Sequence, residues 1–290
     1  MSTRLESATP DTTMGRPDPS LSRIRTAVLK ARGLDFSYYK ESFVRRRLAI
    51  RQRAVGLARL ARYATHLESD AAEMDHLVNA LTVNVSEFFR NPGVFRILAS
   101  QVIPGLVEDC RRDGRPLGFW SAGCASGEEA YSVAILLQRA GLVHEETKLV
   151  GTDIDRKVVT RARAGVFEAS HMREVDEATR ADYFEPQPEG RGFRVRKERL
   201  PPLRFHVRDA MNQSFLRDLD LVLCRNLLIY IEPELQENLL ATLARALRPG
   251  GVLVLGRVER LLGGMRQEFQ AVDASQRVYR KLAPGAQHAT

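Results

Sequence analysis

The chain has only three cysteines, Cys110, Cys124 and Cys224, and no Cys-x-x-Cys or histidine-rich ligand spacing. An odd, scattered set excludes a disulfide framework and carries no zinc-site signature, so each thiol reads as a small packing residue. Cys124 falls within the principal motif, yet no histidine stands near it in sequence to activate it as a nucleophile. No apolar run approaches the roughly 20 residues of a membrane-spanning helix. Residues 1–20 lack the apolar core of a secretion signal, and a cytoplasmic protein is expected. That segment, with Pro10, Pro17 and Pro19 and no hydrophobic periodicity, predicts a disordered arm. No internal repeat is evident.

What remains is the composition of a soluble globular protein: 290 residues, 44% hydrophobic and 28% charged, enough for one large or two modest domains. The formal charge of +8 favours an anionic partner without saying which.

The most informative stretch is Phe119-Trp120-Ser121-Ala122-Gly123-Cys124-Ala125-Ser126-Gly127-Glu128-Glu129-Ala130-Tyr131. An apolar strand runs into small residues and then into a helical pattern, a turn that lets backbone approach a nucleoside closely. The Lys-Ser/Thr of a triphosphate loop is absent, and Glu128 and Glu129 would repel phosphate. A second strand, Lys148 to Thr152, ends in Asp153, at the spacing where an acidic residue binds a ribose. The pair suggests an adenosine-type cofactor without pyrophosphate, for which S-adenosylmethionine is the candidate. The competing reading is an ordinary strand-turn-helix whose small residues only allow close packing.

From Leu21 to Leu81 the periodicity predicts four helices. Ile24, Val28 and Leu29 share one face; Phe43, Leu48 and Ile50 lie in a second helix, Leu57, Leu60, Tyr63 and Leu67 in a third, and Met74, Leu77, Val78 and Leu81 in a fourth. Between Lys40 and Arg62 stand eight Lys/Arg against one acid, Glu41. The cluster Arg45, Arg46, Arg47, Arg51 and Arg53 therefore predicts a docking surface for carboxylates or phosphates, against the alternative of solvated charges. Phe88 and Phe89 should serve two packing surfaces at the junction of two domains.

After Leu117 the chain alternates strands and helices: strands at 117–121, 148–152, 219–224 and 252–255, and helices at about 128–140, 156–163 and 233–247. This predicts a mostly parallel sheet with its ligand at the C-terminal strand ends. Between Tyr183 and Val207 the helical pattern fails, and alternation at Phe193 to Arg196 and Leu203 to Val207 predicts short antiparallel strands.

Together these motifs resemble the chemoreceptor glutamate methyltransferases, the CheR family, over roughly residues 21 to 282. The resemblance rests on Gly33-Leu34-Asp35-Phe36, Tyr39-Lys40, the Asn-x-Ser-x-Phe-Phe-Arg run from Asn84 to Arg90, Ser121 to Glu129, Thr152-Asp153-Ile154-Asp155, and Cys224-Arg225-Asn226 with Ile229-Tyr230, all in the family's order. It implies an α/β, Rossmann-like class I methyltransferase domain (91–283) carrying a small antiparallel β-subdomain (about 183–207). A helical receptor-docking domain (21–90) would precede it and a short tail (284–290) would follow. No further domain is expected after Leu282.

By position, Asn84, Ser86 and Arg90 resemble the family's interdomain cofactor contacts, and Ala122, Gly123, Glu128 and Asp153 its motif-loop and ribose contacts. Asp209 and Ala210 resemble the adenine-side pair, and Arg225, Asn226 and Tyr230 the segment lining the methyl-transfer site. Ser86 stands where Thr is usual, Asp209-Ala210 where Asn-Leu is common, and Gly256-Arg257-Val258-Glu259 lacks the usual Ser before its Glu. Ser86 keeps the hydroxyl and Asp209 the acceptor.

The implied activity is methyl transfer from S-adenosylmethionine to receptor glutamates, leaving S-adenosylhomocysteine. The implied partner is the cytoplasmic signalling region of chemoreceptors. Neither metal nor nucleic acid is expected, the membrane is approached only through the receptor, and the protein is expected to be a monomer. A glutamate is already ionised at neutral pH, so no general base is required, in keeping with the absence of histidine from the motifs. Arg90 is the candidate to steer the substrate carboxylate and Tyr230 to shape the wall beside the methyl group. Their bland alternatives are an ion pair and a packed aromatic. Two other readings are an RNA methyltransferase, suggested by the basic N-terminal region, and an inactive cofactor-sensing module.

Overall fold

The computed structural model describes residues 18–83, 86–142, 147–212, 216–283 and 285. Most of the expected arm, the tail beyond Gly285 and Asn84 lie outside them. Contacts divide the chain into one unit of residues up to Ser37 with Arg45–Leu81, and a second of Tyr38–Val44 with Thr82 onward. The expected boundary at Arg90 thus falls earlier, and one short N-terminal segment belongs to the second unit.

The first unit begins with α1 (Pro19–Arg32). Asp18 caps it by accepting the Ser20 N–H, so residues 18–20, expected in the arm, belong to the start of this helix. α2 (Glu41–Ala54), α3 (Leu60–Ser69) and α4 (Ala71–Leu81) follow. Leu21, Ile24, Val28, Leu48, Tyr63, Leu67, Leu77 and Leu81 form the buried core, whereas Leu29 and Ile50, expected on buried faces, are exposed. At the centre the Glu73 carboxylate accepts from Arg51 Nε and Nη2 (3.0 and 2.6 Å) and from Tyr63 Oη (2.6 Å).

In the second unit α5 (Pro92–Ile97) passes through a π turn into α6 (Ile103–Arg112), then β1 (Leu117–Ala122) and α7 (Glu128–Arg139). β2 (Thr147–Asp153), α8 (Arg156–Ala164), β3 (Val166–Phe167), α9 (Glu177–Tyr183), β4 (Phe184–Pro186), β5 (Phe193–Val195) and β6 (Leu203–Val207) follow. The chain ends in β7 (Leu219–Cys224), α10 (Pro233–Ala246), β8 (Leu247–Leu255), α11 (Met265–Glu268), β9 (Phe269–Asp273) and β10 (Val278–Lys281).

The main sheet has the order β6-β2-β1-β7-β8-β10-β9, parallel through β8 and antiparallel at β10 and β9. Every residue of β1 and β7 is buried, as strands of a sheet covered on both faces should be; the one charged residue among them, Asp220, accepts from Arg115 Nη1 at 2.9 Å and from the Gly118 N–H at 2.8 Å.

The second sheet, β3-β5-β4, is antiparallel and small. Leu203–Val207 is not part of it, contrary to the expectation; it is the parallel edge strand of the main sheet, with Asp153 opposite Val207. Alternation marked this segment as a strand but not its direction, because an edge strand exposes one face whichever way it runs. The two-residue β3 was missed because it is too short to show a period. Phe88 and Phe89 do diverge, but within one unit. Phe88 packs edge-on against Phe167 and Phe184 (4.8 and 4.9 Å), and Phe89 against Phe95 (5.4 Å).

Candidate active site

The site is assembled where β1 and β2 end side by side. The N–H groups of Gly123 and Cys124 both donate to the Thr152 carbonyl at 2.9 Å, which folds the small-residue loop over the end of β2. Ala125, held at a positive φ of 48°, donates its N–H to Asp153 Oδ2, and Asp155 donates its own to Oδ1, each at 2.9 Å. Each Asp153 oxygen keeps acceptor capacity after these bonds. Burial pushes its carboxyl up to about 6, against the downward pull of the Asp155 and Ala125 N–H groups. A rigid acceptor beside a loop of small residues fits the hydroxyls of a ribose.

Six of the expected residues, Ser86, Arg90, Gly123, Arg225, Asn226 and Tyr230, line one cleft of about 650 Å³ at these strand ends. Ala122 is fully buried at the end of β1, and Asp209 and Ala210 lie beyond β6; none of the three lines this cleft, and Asp153 meets it only through the N–H of Ala125, a lining residue.

One expected contact is corrected. Glu129, not Glu128, faces the cleft. Glu128 is fully buried, with Oε1 accepting from Ser126 Oγ at 2.8 Å and pairing with His171 Nδ1 at 2.7 Å. Consecutive residues in the first turn of α7 diverge, so only one of the two carboxylates can face the cleft. The Glu128 carboxylate, 2.7 Å from Nδ1, raises the pKa of His171.

Glu129 accepts from Ser121 Oγ at 3.0 Å and from Arg225 Nη1 at 3.1 Å. Arg225 Nη2 donates to the Arg90 carbonyl (2.9 Å) and to Asn91 Oδ1 (2.7 Å), and the guanidinium stacks on Phe95 at 5.5 Å. Phe89 and Asn91 hold φ of 53° and 62°, a left-handed conformation that costs non-glycine residues on the order of 1 kcal/mol each. Arg225 thus clamps a strained turn that presents Arg90, besides lining the cleft.

Two contributors were not assigned roles in advance. The Glu259 carboxylate accepts three backbone N–H groups, from Asn226 (3.0 Å), Ile229 (3.3 Å) and Gly256 (2.6 Å). Burial raises its pKa, while those N–H groups pull it back. A Cβ at Gly256 would lie 2.5 Å from Glu259 Oε2 and 2.8 Å from the Asn226 nitrogen, so glycine is what admits the carboxylate. Tyr38 Oη donates to Asp209 Oδ2 at 2.8 Å, and its neighbours join the segment after β7: Lys40 donates to the Tyr230 carbonyl at 2.8 Å, and the Phe43 and Tyr230 rings stand 4.9 Å apart. The Tyr39-Lys40 pair was the sequence signal nearest to this arrangement.

Within the docking cluster, Arg45, Arg46 and Arg53 are exposed and Arg47 is partly so. Arg45 lies 3.5 Å from Asp18, and Arg51 is committed to Glu73, which makes Arg51 a structural residue of the helical unit.

The description "CheR methyltransferase, SAM binding domain" matches residues 84–278, and "CheR methyltransferase, all-alpha domain" matches residues 19–82. The chemotaxis protein methyltransferase of Listeria innocua is 35% identical over 231 residues, covering 79% of this chain and 86% of that protein. The chemotaxis protein methyltransferase of Salmonella typhimurium is 31% identical over 257 residues, 86% of each chain. Among solved structures, plantazolicin methyltransferase BpumL in complex with SAH aligns with 74% of this chain and 59% of its own at 13% identity and a TM-score of 0.34. With both parts of the chain matched in order, this protein belongs to the CheR family of S-adenosylmethionine-dependent methyltransferases.

Proposed function

We propose that the protein methylates glutamate side chains in the cytoplasmic signalling region of bacterial chemoreceptors, forming glutamyl methyl esters. The observation that carries this reading is the cleft shared by Arg90, Asn226 and Tyr230, whose lining residue Ala125 donates its N–H to the Asp153 carboxylate. A cation at the cleft wall suits an anionic acceptor, and the Ala125 N–H ties that wall to the carboxylate suited to a cofactor ribose.

Bound S-adenosylmethionine supplies an electrophilic methyl group on a sulfonium. Asp153 and the Gly123–Ala125 loop hold the nucleoside, with Asp209 and Ala210 on the adenine side, and Ser86 and Asn226 complete the cofactor's surroundings. Arg90 steers the glutamate carboxylate into line without taking its proton, because the group is already ionised. Tyr230 forms the wall beside the methyl group, and a drier cleft favours a step in which opposite charges disappear. Arg45, Arg46 and Arg53 supply a cationic face for an acidic receptor surface.

The test is incubation with labelled methyl donor and receptor-containing membranes. Base-labile label on a receptor band is expected. Label resistant to base, or appearing on RNA, would remove the glutamate ester.

A further inference from the structure

We propose that a second cleft, on the outer edge of the main sheet, is a binding site for a phosphate-type oxyanion. Arg163, Lys197, Arg204 and His206 line it above Tyr131 and Phe205, and its empty space is about 640 Å³. It shares no lining residue with the cleft of Arg90 and Tyr230.

Three elements bring the cations together. Arg163 comes from the last turn of α8, Lys197 from the turn after β5, and Arg204 and His206 stand two residues apart on β6, so both project from one exposed face. Two of the cations are held in place by backbone. Arg163 donates from Nε and Nη2 to the Phe205 carbonyl at 2.9 and 2.7 Å, and Lys197 Nζ donates to the Arg163 carbonyl. The Lys197 stem crosses Gly165, where a Cβ would lie 2.9 Å from its Cε and 3.2 Å from Tyr131 Oη; Gly165 has a φ of 68°.

Each bond leaves donors over: Nη1 of Arg163 and two ammonium protons of Lys197. Among the described residues, none of Arg163, Lys197 and Arg204 makes an ion pair with a carboxylate. Protection of a sheet edge accounts for Arg163 on the Phe205 carbonyl. It does not account for the convergence of Lys197, Arg204 and His206 on the same concavity. Like charges fixed at close range repel one another, and a bound oxyanion relieves that repulsion while taking guanidinium and ammonium donors together. The field is felt at His206, whose pKa is lowered first by burial and then by Arg163, Arg208 and Arg204.

Phosphate chemistry can reach this cleft as a soluble phosphorylated molecule or as a lipid headgroup. The experiment uses the full chain with inorganic pyrophosphate, followed by calorimetry and by the His206 imidazole resonance. In parallel, co-sedimentation compares vesicles of phosphatidylglycerol in phosphatidylcholine with phosphatidylcholine alone. Saturation with pyrophosphate should raise the His206 pKa by about half a unit or more. Arg204→Glu and Lys197→Ala should each weaken anion binding by roughly tenfold or more, the loss expected of a charge-assisted contact. Arg62→Glu, at an exposed position of the helical unit, makes the same charge change as Arg204→Glu and should have little effect.

Pyrophosphate binding without vesicle retention assigns a soluble ligand. Vesicle retention that pyrophosphate displaces assigns a headgroup. The proposal is overturned if neither probe binds, or if Arg62→Glu weakens binding as much as Arg204→Glu, which would mean a response to net charge only. Affinity for S-adenosylhomocysteine serves as the folding check, and it keeps this result separate from the fate of the methyl-transfer reading.

Discussion

Glu259 and Asn226 are joined by a hydrogen bond from the Asn226 backbone N–H to the Glu259 carboxylate at 3.0 Å, made at a residue whose φ of 61° is left-handed. The same carboxylate takes the N–H of Ile229, so the segment carrying Arg225, Asn226 and Tyr230 is held from behind by one buried anion.

Glu259→Gln puts an NH2 donor either where Oε1 accepts the Ile229 N–H or where Oε2 accepts those of Asn226 and Gly256. At least one N–H loses its partner, a loss worth about 1–3 kcal/mol. Turnover should fall by roughly tenfold, with a smaller change in S-adenosylhomocysteine affinity, if the segment lines the methyl-transfer side as proposed. Steady-state kinetics beside calorimetry check this; affinity falling as far as turnover would make Glu259 a general structural residue.

Asp153 titrates near 6 in the folded chain against an ordinary value of 3.8. Folding therefore favours its protonated form, and its contribution to stability falls as pH rises from about 4 to about 6, then levels off. In the proposed role of Asp153, cofactor binding has the opposite need, because ribose hydroxyls want the ionised acceptor. Affinity for S-adenosylhomocysteine should drop as pH is lowered through 6, and Asp153→Asn should flatten that profile. Titrations between pH 5 and 8 decide it.

The His171–Glu128 pair carries the reverse sign. The nearby carboxylate raises the histidine pKa, so the stabilisation is fully present below the ordinary histidine value and is lost as pH rises through the raised one. The thermal midpoint of wild type minus that of His171→Gln should be largest at acidic pH and shrink toward alkaline pH.

Arginines of one short stretch should separate into two kinds. Arg46→Ala with Arg53→Ala should reduce receptor methylation at subsaturating substrate, leave stability and cofactor affinity unchanged, and lose much of its effect at high salt. Arg51→Ala strands the Glu73 carboxylate, which is only 3% exposed, and should destabilise the helical unit by on the order of 3 kcal/mol. Urea unfolding and methylation rates, measured on the same variants, tell the two apart.

The parallel strands were legible because β1 and β7 are rich in apolar residues, with Asp220 the one charged residue in either. The turn from Gly123 to Gly127 was legible as a turn because small residues separate an apolar strand from a helical pattern. The choice between Glu128 and Glu129 was not, since it depends on the rotation of α7 and on His171, 43 residues further on. The roles of Arg51 and Glu259 were hidden for a similar reason: charge patterning counts charges along the chain, whereas partners are set by folding. Arg51 finds Glu73 at 22 residues' distance and Glu259 finds Asn226 at 33.

Tyr38–Val44 returns to the second unit before the chain completes the first. The polypeptide therefore changes units three times, and no single cut yields two intact halves. A fragment starting at Thr82 would leave Asp209 without the Tyr38 hydroxyl, the Tyr230 carbonyl without the Lys40 N–H, and Ile231 without its bridge to Tyr39. During synthesis these N-terminal residues emerge long before their partners at 209–232, so this corner of the catalytic unit is completed only after most of the chain has been made.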